Sequence, residues 1–426
     1  MRRIHFKHIV VLVVCLICAA TWSNEIIEVP LVYEAYCDED NDSGFQPQTS
    51  IACGAIAESP PEGEWKLPEL NGENPVYRLI HVGGKERLLI LDQTDKNAFY
   101  NRIYFDTNGN RDLTDDAPID ALNVSSPDGQ YFRAYFPGID IDTVIDGVTM
   151  QYRFGVVVNH WSDQPVSWGS RILSFFTGRS KAPDSFNIEQ LNLSIRTRCI
   201  YKAEFEIGGV RYCLLLCDYN INGRFDERGR LDEERLSIDR PLWAPGDRKY
   251  LFETGATPDY SDRMTLTDYI HLSDALYKMD INQSGKKLTL TPVTDNRATL
   301  DLPAPVQRLC IIDEMTSVAV LKPGKQIKVP AGTYRLLDYL LYKDEPEGAR
   351  WQLRARGAGD SPKIVAIANE SVPFPFGEPY RPQIRIPSWA WQHSGDADRM
   401  LPQIRLEFRI KGAANETVDD LACHQS

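Results

Sequence analysis

The sequence lacks the motifs that many enzyme families require. It contains no Gly-x-Ser-x-Gly nucleophile elbow, no phosphate-binding loop, no dinucleotide-binding glycine pattern and no His-Glu-x-x-His zinc motif. Its few histidines stand singly, without the spacing of metal ligands. These absences argue against the enzyme classes that carry those motifs. They do not exclude a glycosidase, because its two carboxylates have no fixed motif and the chain has 60 acidic residues.

A membrane-spanning segment is also missing. The apolar run 9–20 is shorter than the roughly 20 residues that a bilayer-spanning helix needs, and no later run reaches that length. Residues 1–23 are instead predicted to be a secretory signal peptide, because Arg2, Arg3 and Lys7 form a basic start before the apolar run. We therefore expect a mature chain that is secreted or periplasmic, at the cell envelope, and not embedded in the membrane.

Positive charge is scarce. The chain has 47 basic and 60 acidic residues, and loss of the signal peptide with its three basic residues leaves a net charge of −16. Such a surface repels nucleic acid and anionic membranes and attracts divalent cations. We therefore expect no nucleic-acid partner.

The seven cysteines of the mature chain are an odd number, so at least one is unpaired or bonded to another chain. Cys37 and Cys53 flank a polar segment and are predicted to form a local disulfide, worth ~3 kcal/mol on the chain-entropy estimate. Cys213 and Cys217 cannot bond to each other, because four strand residues span about 13 Å and a disulfide needs Cα atoms within about 7 Å. They are predicted to be small core side chains.

Helical periodicity is almost absent, whereas period-two alternation and turn signals recur along the chain. The predicted fold class is mainly β, with duplicated hairpin and calcium-loop units followed by a C-terminal β-sandwich. The predicted divisions are a signal peptide at 1–23, an irregular lead-in at 24–75, a first β unit at 76–160, a second at 161–300 and the C-terminal sandwich at 301–426.

Paired glycines predict two hairpins, at 76–91 and 201–216. In the second hairpin Glu206 is expected opposite Arg211, where the two would form a cross-strand ion pair. The apolar face of that hairpin is expected to carry Tyr201, Ala203, Phe205 and Ile207.

Two acidic loops share a spacing of oxygen-bearing side chains. They begin at Asp106 and Asp218, each directly after an apolar strand, and align at a constant offset that also matches Leu113 with Phe225. The match indicates an internal duplication, in which the first copy has about thirteen extra residues before its loop. Carboxylates and amides on alternate residues suit a hard cation with six to eight oxygen ligands. The predicted metal ligands are Asp106, Asn108, Asn110, Asp112 and Asp115 in the first loop, and Asp218, Asn220, Asn222, the Arg224 carbonyl, Asp226 and Glu227 in the second.

Each loop resembles the calcium loops of EF-hand and dockerin-type proteins over about a dozen residues. In such loops position six is glycine, which Gly223 matches in the second loop, whereas Gly109 falls at position four of the first. The resemblance implies structural Ca²⁺ that is bound weakly, with Kd on the order of 10⁻⁴ to 10⁻³ M as in extracellular modules. The competing interpretation is a pair of polar turns that use Asn and Gly for left-handed backbone geometry.

The bidentate acid of position twelve is missing, because Ala117 and Gly229 stand there. Two alternatives are left open for this ligand. It is expected from Asp115 or Asp116 in the first loop and Glu227 in the second, or from Asp120 and Asp232, which occupy the same relative place in both copies. A strand precedes each loop where an EF-hand has a helix, so the resemblance is confined to the loops.

Two wider resemblances concern the architecture. The Gly-Gly hairpin, the acidic loop, the Pro-Gly-Asp turn at 245–247 and the strand after Ser284 together resemble uncharacterised secreted bacterial proteins rich in β-structure. The segment 329–336 is similar to the strand entry of carboxypeptidase-regulatory-like and other prealbumin-type sandwich modules. This second resemblance implies a structural or binding module without catalytic residues.

Aromatic residues give a hint of a ligand. Trp389 and Trp391 alternate on one predicted strand, and Trp161 and Trp168 form a second cluster next to His160. Exposed tryptophans would suit stacking against sugar rings, although burial in a β-core is the competing interpretation.

Three hypotheses for the function follow. The leading one is an exported, calcium-stabilised, non-catalytic β-protein that binds a glycan or a protein at the cell envelope. The alternative is a secreted polysaccharide-active hydrolase that uses a pair of carboxylates. The third is a purely structural component of the envelope.

Overall fold

A computed structural model describes residues 25–36, 50–52, 56–82, 85–95, 99–126, 131–145, 147–161, 190–236, 241–256, 258, 262–282, 286–346, 348–385 and 407–425. The predicted signal peptide, Cys37, Cys53, Trp168, Trp389 and Trp391 lie outside these residues. Within them the chain is almost entirely β-structure in several sheets, so the prediction of a mainly β fold is confirmed. None of the helical structure in these ranges is long and apolar enough to cross a membrane.

The strands follow one another with short connections. The first group is β1 (Ile27–Pro30), β2 (Val32–Ala35), β3 (Ser50–Ala52), β4 (Val76–Val82), β5 (Lys85–Asp92), β6 (Arg102–Phe105), β7 (Ile119–Asp120), β8 (Asn123–Ser125), β9 (Tyr131–Tyr135), β10 (Ile139–Ile145) and β11 (Val148–Trp161). The second is β12 (Leu191–Thr197), β13 (Cys199–Ile207), β14 (Val210–Cys217), a 3-10 helix at Glu233–Arg235, β15 (Arg248–Glu253), β16 (Arg263–Thr265), β17 (Tyr269–Leu272), β18 (Ala275–Ile281) and β19 (Lys287–Pro292). The last is β20 (Arg297–Asp301), β21 (Arg308–Ile312), β22 (Ser317–Leu321), β23 (Gln326–Pro330), β24 (Gly332–Asp344), β25 (Ala349–Arg356), β26 (Ile364–Ala366), β27 (Ser371–Pro373), β28 (Arg381–Arg385), β29 (Glu407–Lys411) and β30 (Thr417–Gln425).

Two separate sheets carry the two acidic loops. The first loop leaves a sheet with the order β4-β5-β6-β7, and the second leaves a sheet with the order β16-β15-β14-β13-β2. A third sheet, β3-β12-β11-β9-β8 with β10 beside β11, contains β8 to β12, which lie between the two loops in sequence, together with β3 of the lead-in. Apolar side chains of all three sheets belong to one buried cluster, so the loops emerge from a common core.

A twelve-stranded sheet and a small three-stranded sheet complete the fold. The large sheet runs β1-β19-β18-β17-β22-β21-β24-β25-β30-β29-β28, and β26 pairs with β24; the small one runs β23-β20-β27. In the large sheet β17 pairs in parallel with β22, so it contains strands from both sides of residue 300, where the sequence predicts a domain division. That division stays a prediction.

The lead-in contributes three strands, and the first two pair with different sheets. The strand β1 pairs with β19 of the large sheet, and β2 pairs with β13 next to the second loop. Between them, buried Leu31 donates its N–H to the carbonyl oxygen of Lys286 at 2.8 Å. The N-terminal segment therefore joins the second-loop sheet to the large sheet.

The predicted hairpins are present. In the β13–β14 hairpin Glu206 lies opposite Arg211 and the two side chains approach to 3.5 Å, as expected. The β4–β5 strands pair from Val76 with Leu91 to Val82 with Lys85. The apolar face of the second hairpin is buried as predicted, with Tyr201, Ala203, Phe205 and Ile207 all in the core.

The strand cysteines are core residues. Cys213 and Cys217 are buried free thiols on β14, which agrees with the sequence interpretation. Cys199 and Cys310 are also buried and free, whereas Cys423 on β30 is exposed. Burial raises the pKa of the Cys213 thiol to about 11 and that of Cys310 to about 12.

Candidate cation-binding loops

Each acidic loop begins with an aspartate that is fully buried at the end of a strand. Asp106 follows β6 and Asp218 follows β14, and both are 0% exposed. The carboxylate of Asp106 turns back over its own loop and accepts backbone N–H groups from Gly109 at 2.8 Å and Arg111 at 3.2 Å. The loop is therefore closed around a buried negative charge.

Asp218 makes the same pair of hydrogen bonds at the equivalent positions. It accepts the N–H groups of Ile221 and Gly223, both at 2.7 Å. A carboxylate has about four acceptor positions on its two oxygens, so the two N–H groups that close each loop use only part of them. The hydrogen bonds that close the loop are thus compatible with metal ligation.

Both loops adopt left-handed backbone geometry at the same two positions. These positions are the fourth and sixth residues, with φ of 71° at Gly109 and 66° at Arg111 in the first loop, and 62° at Ile221 and 86° at Gly223 in the second. Each copy has glycine at only one of the two positions. The different glycine placement therefore does not separate the two loops in conformation.

Alternate amides continue the pattern along each loop. Their side-chain oxygens each accept the N–H two residues on, which is the Asx-turn arrangement. The four contacts are Asn108 with Asn110 at 2.9 Å, Asn110 with Asp112 at 2.8 Å, Asn220 with Asn222 at 3.3 Å and Asn222 with Arg224 at 2.8 Å.

The two alternatives for the position-twelve acid differ in where their side chains lie. The carboxylate of Asp115 accepts the side-chain amide of Asn110 at 2.8 Å, and that of Glu227 accepts the amide of Asn220 at 2.6 Å. Asp120 instead pairs with Arg102 at 2.6 Å on the β6–β7 ladder. Asp232 caps the 3-10 helix, so the fold brings Asp115, Asp116 and Glu227 to the loops rather than Asp120 and Asp232.

Two predicted ligands are engaged by cationic side chains. Asp112 pairs with Lys66 at 2.6 Å, and Asp226 makes two contacts of 3.0 Å with the Arg224 guanidinium. A carboxylate held by such a pair must exchange partners before it can ligate a metal ion. These two residues are therefore weaker candidates than the sequence spacing implies.

Sequence reasoning missed the carboxylate of Asp247 as part of the second loop. Its two oxygens accept the N–H of Tyr219 at 3.1 Å and the N–H of Glu227 at 2.9 Å, near the two ends of the loop. In the first loop Asp116 accepts the equivalent N–H, that of Thr107, at 3.3 Å. The sequence contained one signal, because Asp247 belongs to the Pro-Gly-Asp turn at 245–247. That turn lies 20 residues after Glu227, so the spacing did not indicate a contact with the loop.

The second loop concentrates buried negative charge. Asp218 and Asp247 are both 0% exposed, and burial raises the pKa of Asp218 to about 7. Burial, followed by the charge of Asp218, also raises the pKa of Asp247 well above its ordinary value. Two buried carboxylates that repel each other are stabilised either by a proton or by a bound cation.

A buried arginine lies beside the first loop. Arg87 on β5 is 1% exposed, and its guanidinium donates to the carbonyl oxygens of Asp106 at 3.0 Å and Asp142 at 3.2 Å, and also to that of Thr107. Burial lowers the pKa of Arg87, while the nearby Asp106 and Asp116 charges oppose that shift. This fixed positive charge lies beside the first loop and offsets part of its negative charge.

The matched apolar positions anchor the loops in the core, as the alignment predicts. Leu113 is 0% exposed and packs with Leu88, Ile90 and Tyr104. Phe225 is 1% exposed, and its ring lies 4.7 Å from that of Tyr201. Full burial of each side chain contributes roughly 1.5–3 kcal/mol.

The carboxylates of the two loops do not form a metal site by themselves. Over the described ranges, no group of three or more His, Cys, Asp or Glu side chains is arranged to hold a metal ion. Any cation in these loops would therefore depend on amide and backbone carbonyl oxygens in addition to the carboxylates, as Ca²⁺ sites often do. Asp218, Asn220, Asn222, Glu227 and the Arg224 carbonyl are the residues that would supply them in the second loop.

A groove of about 470 Å³ opens between β29 and β30 and is lined by Glu407, Asp419 and Asp420 together with Phe408 and Leu421. Two of its carboxylates are in ion pairs, Glu407 with Arg409 at 2.8 Å and Asp419 with Arg356. Acids paired in this way are poorly placed to act as a general acid and a nucleophile.

The chain matches no protein-family model, no curated protein and no solved structure. The resemblance to EF-hand and dockerin-type loops therefore depends on the loop residues alone.

Proposed function

We propose that the chain is an exported, calcium-stabilised, non-catalytic β-protein that binds a glycan or a protein at the cell envelope. The observation that carries the proposal is the shared geometry of the two loops. Asp106 and Asp218 each close a loop through the fourth and sixth N–H groups, with oxygen-bearing side chains on alternate residues. Two copies of one cation-type geometry in a strongly acidic chain favour Ca²⁺ over a pair of unrelated polar turns.

The second loop is the stronger of the two sites in this proposal. Its buried Asp218 and Asp247 repel each other, and a divalent cation would offset that repulsion. In the first loop the Arg87 guanidinium already lies beside Asp106. A cation bound there would therefore stabilise the protein less than one bound in the second loop. Calcium should therefore stabilise the chain chiefly through the second loop.

Thermal melts of the mature protein, in excess chelator and in millimolar Ca²⁺, test this proposal. Calcium at about ten times its Kd adds ~1.4 kcal/mol to the free energy of unfolding, which raises Tm by a few degrees. The Asp218→Ala variant should lose most of the rise, Asp106→Ala a smaller part, and the double variant all of it.

The matched control is Asp120→Ala, because Asp120 is an acid just outside the first loop that pairs with Arg102. It should keep the full calcium response. Melts of the wild type that superimpose with and without Ca²⁺ would reduce both loops to polar turns and reject the calcium part of the proposal.

A polysaccharide-active hydrolase is the second candidate, and the groove between β29 and β30 is the place where its carboxylates would lie. The ion pairs of Glu407 and Asp419 disfavour it. We expect no release of reducing sugar from soluble polysaccharides. If reducing sugar is released by the wild type and not by Asp420→Asn, the hydrolase replaces the non-catalytic proposal.

A further inference from the structure

Trp243 presents an aromatic surface beside the second loop. It lies in the segment between the 3-10 helix and β15 and is 49% exposed. Its ring centroid lies 5.6 Å from that of Tyr219, the residue that follows Asp218 in the loop. Half of a large indole thus faces solvent next to a second aromatic ring, an arrangement with one apolar side available to a ligand.

Arg248 fixes this aromatic pair in place. Its guanidinium carbon lies 4.8 Å from the centroid of the Trp243 ring and 4.4 Å from that of Tyr219. Arg248 is 5% exposed, and its guanidinium donates to the carbonyl oxygen of Gly246 at 3.0 Å and to the hydroxyl of Thr265 at 2.9 Å. Because this buried cation contacts both rings and is itself held by hydrogen bonds, the protein loses little side-chain entropy when a ligand stacks on the rings.

The loop residue next to Tyr219 adds hydrogen-bonding groups. Asn220 is exposed, and its side-chain NH₂ donates to Glu227 at 2.6 Å. An amide NH₂ has two N–H donors and does not ligate a cation, so it suits a ligand rich in hydroxyl groups even when the amide oxygen and Glu227 hold Ca²⁺. Glu227 and the buried Asp218 and Asp247 also make this region acidic, so an anionic ligand would be repelled.

We propose that Trp243, with Tyr219 and the side-chain NH₂ of Asn220, forms a binding site for a neutral polysaccharide. The apolar C–H face of a sugar ring stacks on the exposed indole, and a sugar hydroxyl accepts a hydrogen bond from the Asn220 NH₂. This inference rests on the proposed function, for which it supplies the glycan-binding surface.

Native affinity electrophoresis of the mature chain, in millimolar Ca²⁺, tests the site. The gels contain soluble barley β-glucan, xylan or galactomannan as neutral probes, and alginate or chondroitin sulfate as anionic probes. We expect at least one neutral polysaccharide to retard the wild type and the anionic ones to leave it unretarded. Trp243→Ala should weaken that retardation at least tenfold.

The control variant is Trp351→Ala, because Trp351 is a second exposed tryptophan, 36% exposed, that lies on β25 and outside the Trp243–Tyr219–Arg248 cluster. It should be retarded like the wild type, and a melt of each variant shows that it is folded. A folded Trp243→Ala that is retarded like the wild type overturns the site but leaves glycan binding as a function.

The remaining outcomes are also decisive. If no neutral polysaccharide retards the wild type, the neutral-glycan ligand is overturned. The calcium-dependent melts decide separately whether the loops are metal sites, so failure of this inference is distinguishable from failure of the proposed function.

Discussion

The carboxylates of Asp218 and Asp247 accept different N–H groups of the second loop. Asp218 bonds to N–H groups inside the loop, and Asp247 bonds to the N–H groups of Tyr219 and Glu227 near its ends. The loop geometry therefore depends on two buried carboxyl groups, and the charge of Asp218 helps to raise the pKa of Asp247. This relationship gives the second loop properties that the first, with Arg87 beside it, does not share.

Asp247→Asn separates the structural role of this carboxylate from its charge. The amide keeps one acceptor oxygen, so the loss of the other hydrogen bond costs about 1 kcal/mol, and removal of the buried charge offsets it. In chelator we expect a Tm close to that of the wild type at neutral pH. Addition of Ca²⁺ should raise the Tm of the variant much less than it raises the Tm of the wild type.

The control for this change is Asp120→Asn, which removes a charge from an exposed ion pair outside the loops. It should respond to Ca²⁺ like the wild type. An Asp247→Asn protein with a full calcium response would show that the Asp247 charge has no part in cation binding.

The pH dependence of stability in chelator should reveal Asp218. Its folded-state pKa of about 7 lies above the unfolded value of 3.8, so the folded state binds the proton more tightly. The resulting stability is fully present below pH ~4 and is lost as pH rises through 7, at up to ~1.4 kcal/mol per pH unit. Urea unfolding between pH 4 and 8 measures this slope.

Because other carboxyl groups of the chain titrate in the same range, the informative quantity is the difference between the wild type and Asp218→Asn. We expect the wild type to lose stability relative to the variant as pH rises from 4 to 7. Parallel curves would mean that Asp218 ionises in the folded state as easily as in the unfolded one.

Lys249 produces a slope of the opposite sign at higher pH. It is 0% exposed on β15, and burial lowers the pKa of its amine to about 7 from 10.5. Between these two values the unfolded chain binds the proton and the folded chain does not, so stability should rise from pH 7 to 10.

Lys249→Met removes that slope. The amine donates to the hydroxyl of Thr267, which itself donates to the carbonyl oxygen of Tyr269, so the hydroxyl keeps a partner after the change. We expect the variant to be more stable than the wild type at pH 7, by up to a few kcal/mol at roughly 1.4 kcal/mol per pKa unit. Equal stability at pH 7 and at pH 10 would show that the amine reaches solvent when charged.

The thiols should divide into reactive and protected groups. Cys423 is exposed, whereas Cys199, Cys213, Cys217 and Cys310 are buried. Buried thiols whose pKa values are raised are poor nucleophiles. Alkylation of the native protein, followed by peptide mass spectrometry, should therefore label Cys423 and leave these four unmodified.

The same experiment tests the predicted Cys37–Cys53 disulfide. Both cysteines should resist alkylation until a reductant is added, and then react together. Labelling of either one before reduction would contradict the disulfide.

Local sequence patterns predicted the parts of the fold that depend on near neighbours. Period-two alternation and paired glycines gave the β13–β14 hairpin with its Glu206–Arg211 pair, and the acid-amide spacing located both loops. These features form between residues a few positions apart, so their cause lies within the segment itself.

Contacts between distant segments were not predictable in this way. Asp247 reaches the second loop because β15 pairs with β14, and Arg87 reaches the first because β5 pairs with β6. The spacing also could not show that Asp112 turns to Lys66, which lies 46 residues earlier in the chain. The partner of a charged side chain is set by the assembled sheets.

The two left-handed positions of each loop allow a test of the loop geometry without any metal. Gly223 adopts φ of 86° at the sixth position, whereas Arg111 adopts φ of 66° at the same position of the first loop. A side chain in this conformation costs about 1–2 kcal/mol relative to glycine. Gly223→Ala should therefore lower the free energy of unfolding by about that amount, measured by urea unfolding in chelator.

Arg111→Gly should relieve the same strain in the first loop. Its gain is reduced because the Arg111 guanidinium lies 5.2 Å from the ring centroid of Trp65, a contact worth ~0.5–1 kcal/mol at an exposed site. The control is Gly324→Ala, where an added Cβ meets no atom within 4 Å and φ is outside the left-handed region; it should change stability by less than about 0.5 kcal/mol. If Gly223→Ala is as harmless as Gly324→Ala, the sixth position is not held left-handed in solution, and the common geometry on which the calcium proposal depends would be lost.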